Sequence, residues 1–544
     1  MNPLVKKKFE SLPISMLLFD ELGLAERSKY NPLKVLHKKL DDYFSEHKNS
    51  EDSNLYKVAF IGITNWNLDA AKLNRALSLS VPDLDNDQED LIETSITIAN
   101  SFNSNFADKK KISNNNGKKN EEENEVQIFE ELLPKIYFNY KKSLNDLKIY
   151  TVKKNYIEEN PALKNKSFSE LTTRDDFLIK LKKENKIKID FHGNRDFFNL
   201  IKGIARELNE TNEIEDIESV VKLIIKYIER NFAGMIIPID IDENDFTEKD
   251  NKDLKYLRYL IDKKMNQKSI TSVTFFKCIY NTFVDEKVAK IEKYQNKNYK
   301  ISDINAYKII DNIYDNVKDE NSRYLLLGIK PSLSILINQI IDKKMNMIKQ
   351  VDLIEGSTFI NDENMEYQYR ILNEIQECAK NEKGHILFLQ NLNSIYPFLY
   401  DLFNMNYLVK DGKNYARICH GNYSDQLVLV SKLFRIIIMV DKKYMDKLES
   451  PFLNRFEKMI IKFDELLNPI QKNISKDLLG KECNFKQKIK NHEDKVNYKL
   501  KDLLIGCKEE DIQGLVYDFS KDREIEDQNA ENEIKEIKSN VIKK

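Results

Sequence analysis

The sequence is poor in glycine, and it lacks the glycine-rich loop that cradles phosphates in many nucleotide-binding proteins. Glycine accounts for 14 of 544 residues. No segment has the G-x-x-x-x-G-K-[ST] arrangement, whose backbone N–H groups hold phosphate oxygens. The segment RYLLLGIKPSLSIL has the strand–turn–helix pattern, but its one glycine is Gly328, and Lys330 is better explained as a surface residue. The sequence therefore predicts no complete phosphate-binding loop within the chain.

Cysteine and histidine are also few, and neither is clustered. No C-x-x-C pair occurs, and the six histidines do not pair with the cysteines at metal-ligand spacing. We therefore expect free thiols in a reducing compartment and no zinc site in this segment. The five cysteines are Cys278, Cys378, Cys419, Cys483 and Cys507.

The chain lacks a basic excess and long apolar runs. It carries 87 Lys and Arg against 89 Asp and Glu, a formal net charge of −2. This balance argues against a nucleic-acid footprint, which needs basic residues concentrated on one face. No run approaches the ~20 apolar residues of a membrane helix, and the first apolar run is too short for a signal peptide. We expect a cytoplasmic protein.

A short apolar run near the start of the chain ends in two acids. The segment SMLLF is followed at once by Asp20 and Glu21. This pattern predicts a parallel strand, buried on both faces, that delivers carboxylates to the edge of a sheet. In nucleotide-hydrolysing sheets the first such acid holds Mg²⁺ and the second orients the attacking water. The simpler alternative is a strand whose terminal acids cap the next helix.

Two polar positions follow at a spacing that fits the same site. A second apolar strand, KVAFIGITNW, ends at Asn65, which we expect to contact the attacking water or the γ-phosphate. The segment KLNR ends at Arg75, which we expect to reach a phosphate held by another subunit or domain. The alternatives are that Asn65 satisfies backbone groups at a strand end and that Arg75 is an ordinary cation at a helix C-terminus.

Composition and periodicity divide the chain into six regions. Residues 1–105 are the C-terminal part of an α/β core, and 106–125 are a low-complexity insert with little to bury. Residues 126–235 repeat apolar side chains at three- and four-residue steps, which predicts a helical lid. Residues 236–320 are a charged helical connector, 321–465 a second α/β core, and 466–544 a helical, increasingly charged tail.

The helical block contains an arginine at a predicted helix start. In HGNRDFFNLIKGIARELN, Gly193 and Asn194 interrupt the pattern and a helix begins near Asp196. A helical block after a nucleotide-binding sheet is the usual place for a lid arginine that touches the γ-phosphate in cis. We therefore consider Arg195 a candidate for that role, with a plain salt bridge as the alternative.

The two α/β regions resemble each other. In both, an apolar strand with a polar tip is followed some 45–50 residues later by a second strand and then by a helix ending in Asn-Arg. A repeat of this size predicts two tandem copies of one domain. The predicted fold class is therefore α/β, with tandem parallel-sheet units, helical lid subdomains and a predominantly helical content overall.

The second copy lacks the acids of the first. Its corresponding strand, HILFLQNLN, ends in Gln390, Asn391 and Asn393, and neutral amides neither bind Mg²⁺ with charge nor act as a general base. Arg455, in the second Asn-Arg pair, is a further finger candidate or else a helix C-terminal cation. We predict a second unit that is structural or binds nucleotide weakly without turning it over.

Several of these segments together resemble one family. They are LFDELGLAE, VAFIGITNWNLDAAKLNRAL, GNRDFF, ERNF, SRYLLL, EGSTF, LQNLNSIYPFLYDLFN, FRIIIMVDKKYM and PFLNRFEKMII. In this order the chain resembles the third and fourth AAA+ units of mysterin-type proteins, giant dynein-like AAA+ ubiquitin ligases. The match is weakest over residues 106–165 and 236–315.

The resemblance implies roles for the candidate residues and partners for the chain. By matching position, Asp20 and Glu21 are the Walker B acids for Mg²⁺ and water, Asn65 the first sensor, Arg75 the finger and Arg195 the lid arginine. ATP and Mg²⁺ are the implied cofactors. Other AAA+ units of the same ring are the implied partners, together with a ubiquitin-conjugating enzyme and a protein substrate that engage modules outside this chain. The phosphate-binding loop of the first unit is expected upstream of residue 1.

We therefore predict an AAA+ ATPase segment of a mysterin-like ubiquitin ligase. Alone, this chain is expected to hydrolyse ATP poorly. The rival hypothesis is a non-catalytic AAA+ scaffold that assembles with partners and only senses nucleotide. A third is another AAA+ motor of the dynein or midasin sort, whose Asn-Arg-Phe ending is also present at Asn454–Phe456.

Overall fold

The computed structural model contains two compact units, residues Met1–Asp83 and Leu84–Lys544. It describes residues 15–19, 22, 33–34, 58–64, 68, 73–74, 77–80, 87–102, 128–183, 187–210, 217–235, 249–250, 254, 257, 309–330, 350–357, 364–418, 427–461, 467, 469–480, 482–489, 492–499, 509–520 and 530–543.

The described part of the first unit contains two parallel strands, β1 (Ser15–Phe19) and β2 (Val58–Gly62). They pair in register from Ser15 beside Val58 to Phe19 beside Gly62. Parallel pairing agrees with the sequence prediction, but burial does not, because Met16 and Leu18 are 60% and 57% exposed. Parallel sheets are usually buried on both faces, so this exposure is a correction to the sequence prediction.

The second unit is built on a five-stranded parallel sheet. Its strands are β3 (Leu325–Ile329), β4 (Gln350–Glu355), β5 (His385–Gln390), β9 (Phe434–Asp441) and β10 (Glu457–Ile460). They lie in the order β10-β3-β9-β5-β4, and every adjacent pair is parallel. This confirms the predicted α/β class for the second core.

Side chains of this sheet alternate between two apolar layers. Leu326, Leu387 and Ile438 point into the larger core, which also holds the helices of the 128–235 block. Leu325 and Ile437 point into a smaller core on the opposite face, where a helix of residues 309–318 packs. Because successive strand residues face opposite sides, continuous apolar runs such as LLLGI fill both layers at once.

Helices make up much of the rest of the second unit. The α-helices of five or more residues that the structure describes are α1 (Gln88–Phe102), α2 (Leu133–Glu159), α3 (Asp175–Lys183), α4 (Asn194–Glu210), α5 (Ile217–Phe232), α6 (Ile309–Lys318), α7 (Met365–Lys380), α8 (Pro469–Gly480), α9 (Glu509–Ser520) and α10 (Ala530–Lys543). None of the helices in the described part combines the length and the apolar character needed to cross a membrane.

Two antiparallel elements were not predicted. A three-stranded sheet of β6 (Leu408–Lys410), β7 (Lys413–Arg417) and β8 (Leu427–Val430) lies between β5 and β9 in the chain. A hairpin of β11 (Glu482–Ile489) and β12 (His492–Lys499) interrupts the tail, which was expected to be helical throughout. The tail helices α8, α9 and α10 share a small apolar core that includes Ile537, so residues 530–543 are a packed helix.

Candidate functional site

The predicted catalytic acids follow the end of β1. Two backbone hydrogen bonds bracket their positions in the chain: Ile63 N–H donates to the Phe19 carbonyl at 2.8 Å, and Leu22 N–H donates to the Ile63 carbonyl at 2.9 Å. Strands β1 and β2 thus end at the same edge of their sheet, as the sequence predicted. Residues Asp20, Glu21, Asn65 and Arg75 themselves lie outside the described residues, so their roles stay predictions.

The carboxyl ends of three central strands meet in the second unit. Gln390 at the end of β5 lies beside Met439 of β9, and Ile329 at the end of β3 lies beside Asp441 at the end of β9. Ligands of open parallel sheets bind in the crevice outside such carboxyl ends. This edge is therefore the candidate nucleotide site of the second unit.

The side chains at the end of β5 are amides, whereas the neighbouring strands β4 and β9 end in carboxylates. Gln390 is 8% exposed, and its Oε1 has no hydrogen-bond partner among the described residues. Asn391 has a positive φ of 56°, and its Nδ2 lies 3.5 Å from Glu355 Oε1. Asp441 forms an ion pair with Lys443 at 3.0 Å. Strand β5 ends in the amide of Gln390 and offers no carboxylate where a water-activating acid would be needed. The impairment of this unit stays a prediction.

Arg195 lies in the first turn of α4, where the sequence predicted it. Its side chain is exposed, and Nη1 donates to Asn404 Oδ1 at 2.8 Å. Asn404 comes immediately after a short helix, Tyr400–Phe403, so this contact joins two parts of the second unit.

Arg455 is buried within its own unit. It is 3% exposed, its guanidinium carbon lies 3.9 Å from the centroid of the Tyr400 ring, and Nη1 donates to the Pro451 carbonyl. A finger that reaches a neighbouring unit has to extend into solvent. In this conformation Arg455 instead secures the short helix Ser450–Leu453.

The most concentrated charge in the described part of the chain is buried between α4 and the sheet. The Asp196 carboxylate, fully buried, accepts from Lys458 Nζ at 2.9 and 3.1 Å and from Arg323 Nη2 at 2.8 Å. Arg323 also donates to Asn231 Oδ1 at 2.8 Å and to the Asn454 carbonyl at 3.0 Å. Burial acts to raise the pKa of Asp196, but Lys458 and Arg323 outweigh it and hold this pKa below its ordinary value.

A second buried ion pair continues this network. Arg230 at the end of α5 forms a bidentate pair with Glu457 of β10, at 3.0 Å from Nε and 2.9 Å from Nη2. Asn316 Nδ2 donates to Glu457 Oε2 at 2.8 Å, and Arg435 Nη2 donates to Asn316 Oδ1 at 3.0 Å. The helical block is therefore joined to β10 by charge-assisted hydrogen bonds in an apolar setting, and Asn316 of α6 links β10 to β9. We call Asp196, Arg230, Arg323, Glu457 and Lys458 the buried charge network.

His192 lies next to this network with a defined tautomer. Its Nε2 is 2.9 Å from the Ala233 carbonyl, which only accepts, so Nε2 carries the proton. Nδ1 then accepts from the Tyr140 hydroxyl at 2.7 Å. Burial lowers the pKa of His192 to about 3, and the nearby Lys458 charge adds to this effect while Asp196 opposes it. His192 is neutral in the folded protein.

This neutral histidine predicts loss of stability in mild acid. In the unfolded chain the pKa of His192 has its ordinary value near 6.5, whereas in the folded protein it is about 3. Unfolding therefore takes up protons between these values, and stability should fall by up to about 1.4 kcal/mol per pH unit as the pH drops through this window. Urea unfolding of wild type and His192→Gln at pH 7, 6 and 5 measures the slope. Equal slopes for the two proteins would contradict the prediction.

The sequence analysis did not predict the ion pairs of the buried charge network. The segments GNRDFF, ERNF, SRYLLL and PFLNRFEKMII were singled out for their resemblance, and each contributes at least one member of the buried charge network. The available signal was charge inside apolar segments: Glu457 and Lys458 begin a strand and are flanked in sequence by Phe456 and Met459. A charged residue inside a buried strand requires a partner.

The parallel sheet with helices fits an α/β fold, and the matched families define the class as AAA domains. Residues 4–88 and 314–467 each match a family described as "RNF213 AAA domain". These two matches and the relatives below identify an RNF213-type, or mysterin-type, AAA+ segment.

The relatives align along most of this chain. The chain is 25% identical over 496 residues to E3 ubiquitin-protein ligase rnf213-beta of Danio rerio, covering 91% of the chain and 8% of that relative. It is 24% identical over 466 residues to E3 ubiquitin-protein ligase RNF213 of Homo sapiens, covering 86% and 7%. The mouse protein of the same name is 23% identical with the same coverage. The chain thus spans less than a tenth of the length of these relatives.

Proposed function

We propose that this chain is the AAA+ segment of an RNF213-like ubiquitin ligase, in which ATP binding and hydrolysis change the arrangement of AAA+ units. Ubiquitin transfer is assigned to modules outside this chain, and the cytoplasm is the proposed location. The observation that carries the proposal is the pair of RNF213 AAA domain matches, in chain order, over residues 4–88 and 314–467.

In this proposal the first unit binds and hydrolyses Mg²⁺–ATP. Asp20 holds the metal, Glu21 activates water, Asn65 contacts the γ-phosphate and Arg75 reaches a phosphate in a neighbouring unit. Arg195 serves as the lid arginine, and Arg455 is retained only as a candidate finger of the second unit. The buried charge network supports a mechanical role for the helical block, because it ties α4 and α5 to β10 with ion pairs at 2.8–3.1 Å.

A second candidate function is a scaffold that senses nucleotide without turning it over. The amide side chains of Gln390 and Asn391 at the end of β5 favour it for the second unit. The two hypotheses differ in whether nucleotide controls ubiquitin transfer.

The test measures nucleotide control separately from ubiquitin activation. Ubiquitin activation consumes ATP, so the reaction begins from a conjugating enzyme already charged with ubiquitin, whose discharge requires no ATP. The protein is purified from its own cells through a tag on this chain. Adding Mg²⁺–ATP should change the discharge rate in wild type, and Asp20→Asn should remove that response because the amide lacks the charge that holds Mg²⁺.

The matched control for this test is Asp477→Asn. Asp477 is an exposed residue of α8 that pairs with Lys538 at 2.8 Å, so its variant should keep the nucleotide response. Discharge that is insensitive to nucleotide in wild type would favour the scaffold. Absence of discharge under all conditions would contradict the ligase assignment.

A further inference from the structure

A histidine, a cysteine and an aspartate from three neighbouring elements converge at the amino end of the second sheet. Helix α7 ends at Lys380, and β5 begins at His385 after a tight return through Gly384, whose φ of +89° favours glycine. This return places the side chain of Cys378 in α7 close to that of His385. Asp352 projects from β4, the strand beside β5. One ligand atom from each of the three side chains lies within 4.8 Å of the others.

The imidazole of His385 is buried without a satisfied hydrogen bond. The residue is 3% exposed, and neither Nδ1 nor Nε2 has a hydrogen-bond partner among the described residues. Nε2 lies 2.9 Å from Asp352 Oδ2, but the contact lacks the alignment of a hydrogen bond. Buried polar groups are nearly always paired, so a ring nitrogen that faces a carboxylate and a thiol indicates a missing electrophilic partner.

The donor set suits one class of ligand. Thiolate, imidazole and carboxylate together are typical of Zn²⁺ and similar borderline divalent cations. Bond lengths of about 2.0–2.3 Å to a tetrahedral ion place its ligand atoms about 3.3–3.8 Å apart. His385 Nε2 and Asp352 Oδ2 are 2.9 Å apart, and no pair of the three ligand atoms is more than 4.8 Å apart, so side-chain adjustments of at most about an ångström complete the geometry.

The electrostatic surroundings also favour a cation. Burial, together with the negative charges of Asp352 and Glu374, raises the pKa of the Cys378 thiol to about 11. A divalent ion reverses this balance by deprotonating a coordinating thiol outright. Gln350 Nε2 donates to Asp352 Oδ2 at 2.8 Å, a support of the kind that orients metal-binding carboxylates.

We propose that Asp352, Cys378 and His385 form a binding site for Zn²⁺ or a similar borderline divalent cation, with water as the fourth ligand. The site fastens the end of α7 to the start of β5 and to β4. It lies about 16 Å along β5 from the carboxyl edge, at ~3.3 Å per residue, and is separate from the nucleotide site. This proposal replaces the expectation of no zinc site, which rested on linear spacing. Six residues lie between Cys378 and His385 in the sequence.

Metal analysis of the full chain is the direct test. After removal of metals with a chelator and dialysis against Zn²⁺, wild type should retain about one zinc ion per chain. Cys378→Ser and His385→Gln should each weaken binding at least ~10-fold. Cys507→Ser, at another cysteine of the chain, is the matched control and should bind like wild type. Equal zinc content in all four proteins would overturn the proposal.

Cobalt provides a spectroscopic test that does not depend on variant stability. Wild type loaded with Co²⁺ should show a thiolate-to-cobalt charge-transfer band in the near ultraviolet and the visible bands of tetrahedral cobalt. Asp352→Asn changes a half-exposed side chain, so this variant should fold and should bind Co²⁺ more weakly. Absence of the charge-transfer band in folded wild type would overturn the proposal and leave His385 and Asp352 as an ordinary ion pair.

Discussion

Asp196→Ala should destabilise the second unit by about 3–5 kcal/mol, because it leaves Lys458 and Arg323 as buried cations without their shared carboxylate. Both cations are almost fully buried, with side chains 0% and 9% exposed. Water therefore cannot replace the lost partner. Urea unfolding followed by far-ultraviolet circular dichroism measures the change. Asp477→Ala, which removes an exposed carboxylate, should change stability by less than ~1 kcal/mol.

A double-mutant cycle separates the pair from other effects of truncation. Lys458→Met leaves Asp196 paired with Arg323, so this single change should cost less than Asp196→Ala. In the double variant no unpaired lysine remains, and Arg323 keeps its bonds to Asn231 and the Asn454 carbonyl. The double variant should therefore be more stable than the sum of the single effects predicts. Strict additivity would show that Asp196 and Lys458 do not interact energetically.

The buried charge network also concerns the mechanical role that we propose for the helical block. Replacing buried ion pairs with apolar residues of similar volume is often neutral or stabilising, so stability alone gives little reason for five charged residues at this position. Directional hydrogen bonds, unlike apolar contacts, fix one orientation of α4 and α5 against β10. In the proposed function, a helical block held in this way would move with the second sheet when AAA+ units change their arrangement.

Strands β3, β5 and β9 of the second unit were predictable because they are apolar on both faces, unlike β4, which is mostly exposed or half-buried. Runs such as LLLGI and HILFLQ are buried throughout, and only a parallel sheet between two layers buries every residue of such a run. The same rule was wrong for β1, where Met16 and Leu18 are exposed. Local sequence specifies the run, whereas its burial depends on neighbouring layers that the run itself does not encode.

The antiparallel elements and the charge network were harder to predict. The hairpin of β6 and β7 turns at Asp411–Gly412, both with positive φ, and this Asp-Gly signal was present in the sequence. Other pairings had no local signal, because Asp196 and Lys458 are 262 positions apart. Cys378 and His385 meet through a helix-to-strand return and not at a recognised metal spacing. Such contacts depend on how distant segments pack, so they can be identified only from the three-dimensional structure.

The largest kinetic effect is expected at Glu21. In a preparation that hydrolyses ATP, Glu21→Gln keeps the size of the side chain and its ability to form hydrogen bonds, but removes the base that orients the attacking water. Turnover should fall by about 10²–10⁴-fold while ATP binding is retained. Phosphate release at saturating ATP measures the first quantity, and binding of a fluorescent ATP analogue measures the second.

Two comparisons make the Glu21 result specific. Glu159→Gln makes the same chemical change at a mostly exposed residue of α2 that pairs with Lys180, and it should leave turnover unchanged. The 544-residue chain without other segments should turn over ATP poorly, because its sequence contains no G-x-x-x-x-G-K-[ST] loop to hold the phosphates. Robust turnover by this chain that is lost in Glu21→Gln would contradict that expectation while supporting the role of Glu21. Equal turnover in Glu21→Gln and wild type would instead remove Glu21 from the mechanism and make a nucleotide-sensing scaffold the better account of the first unit.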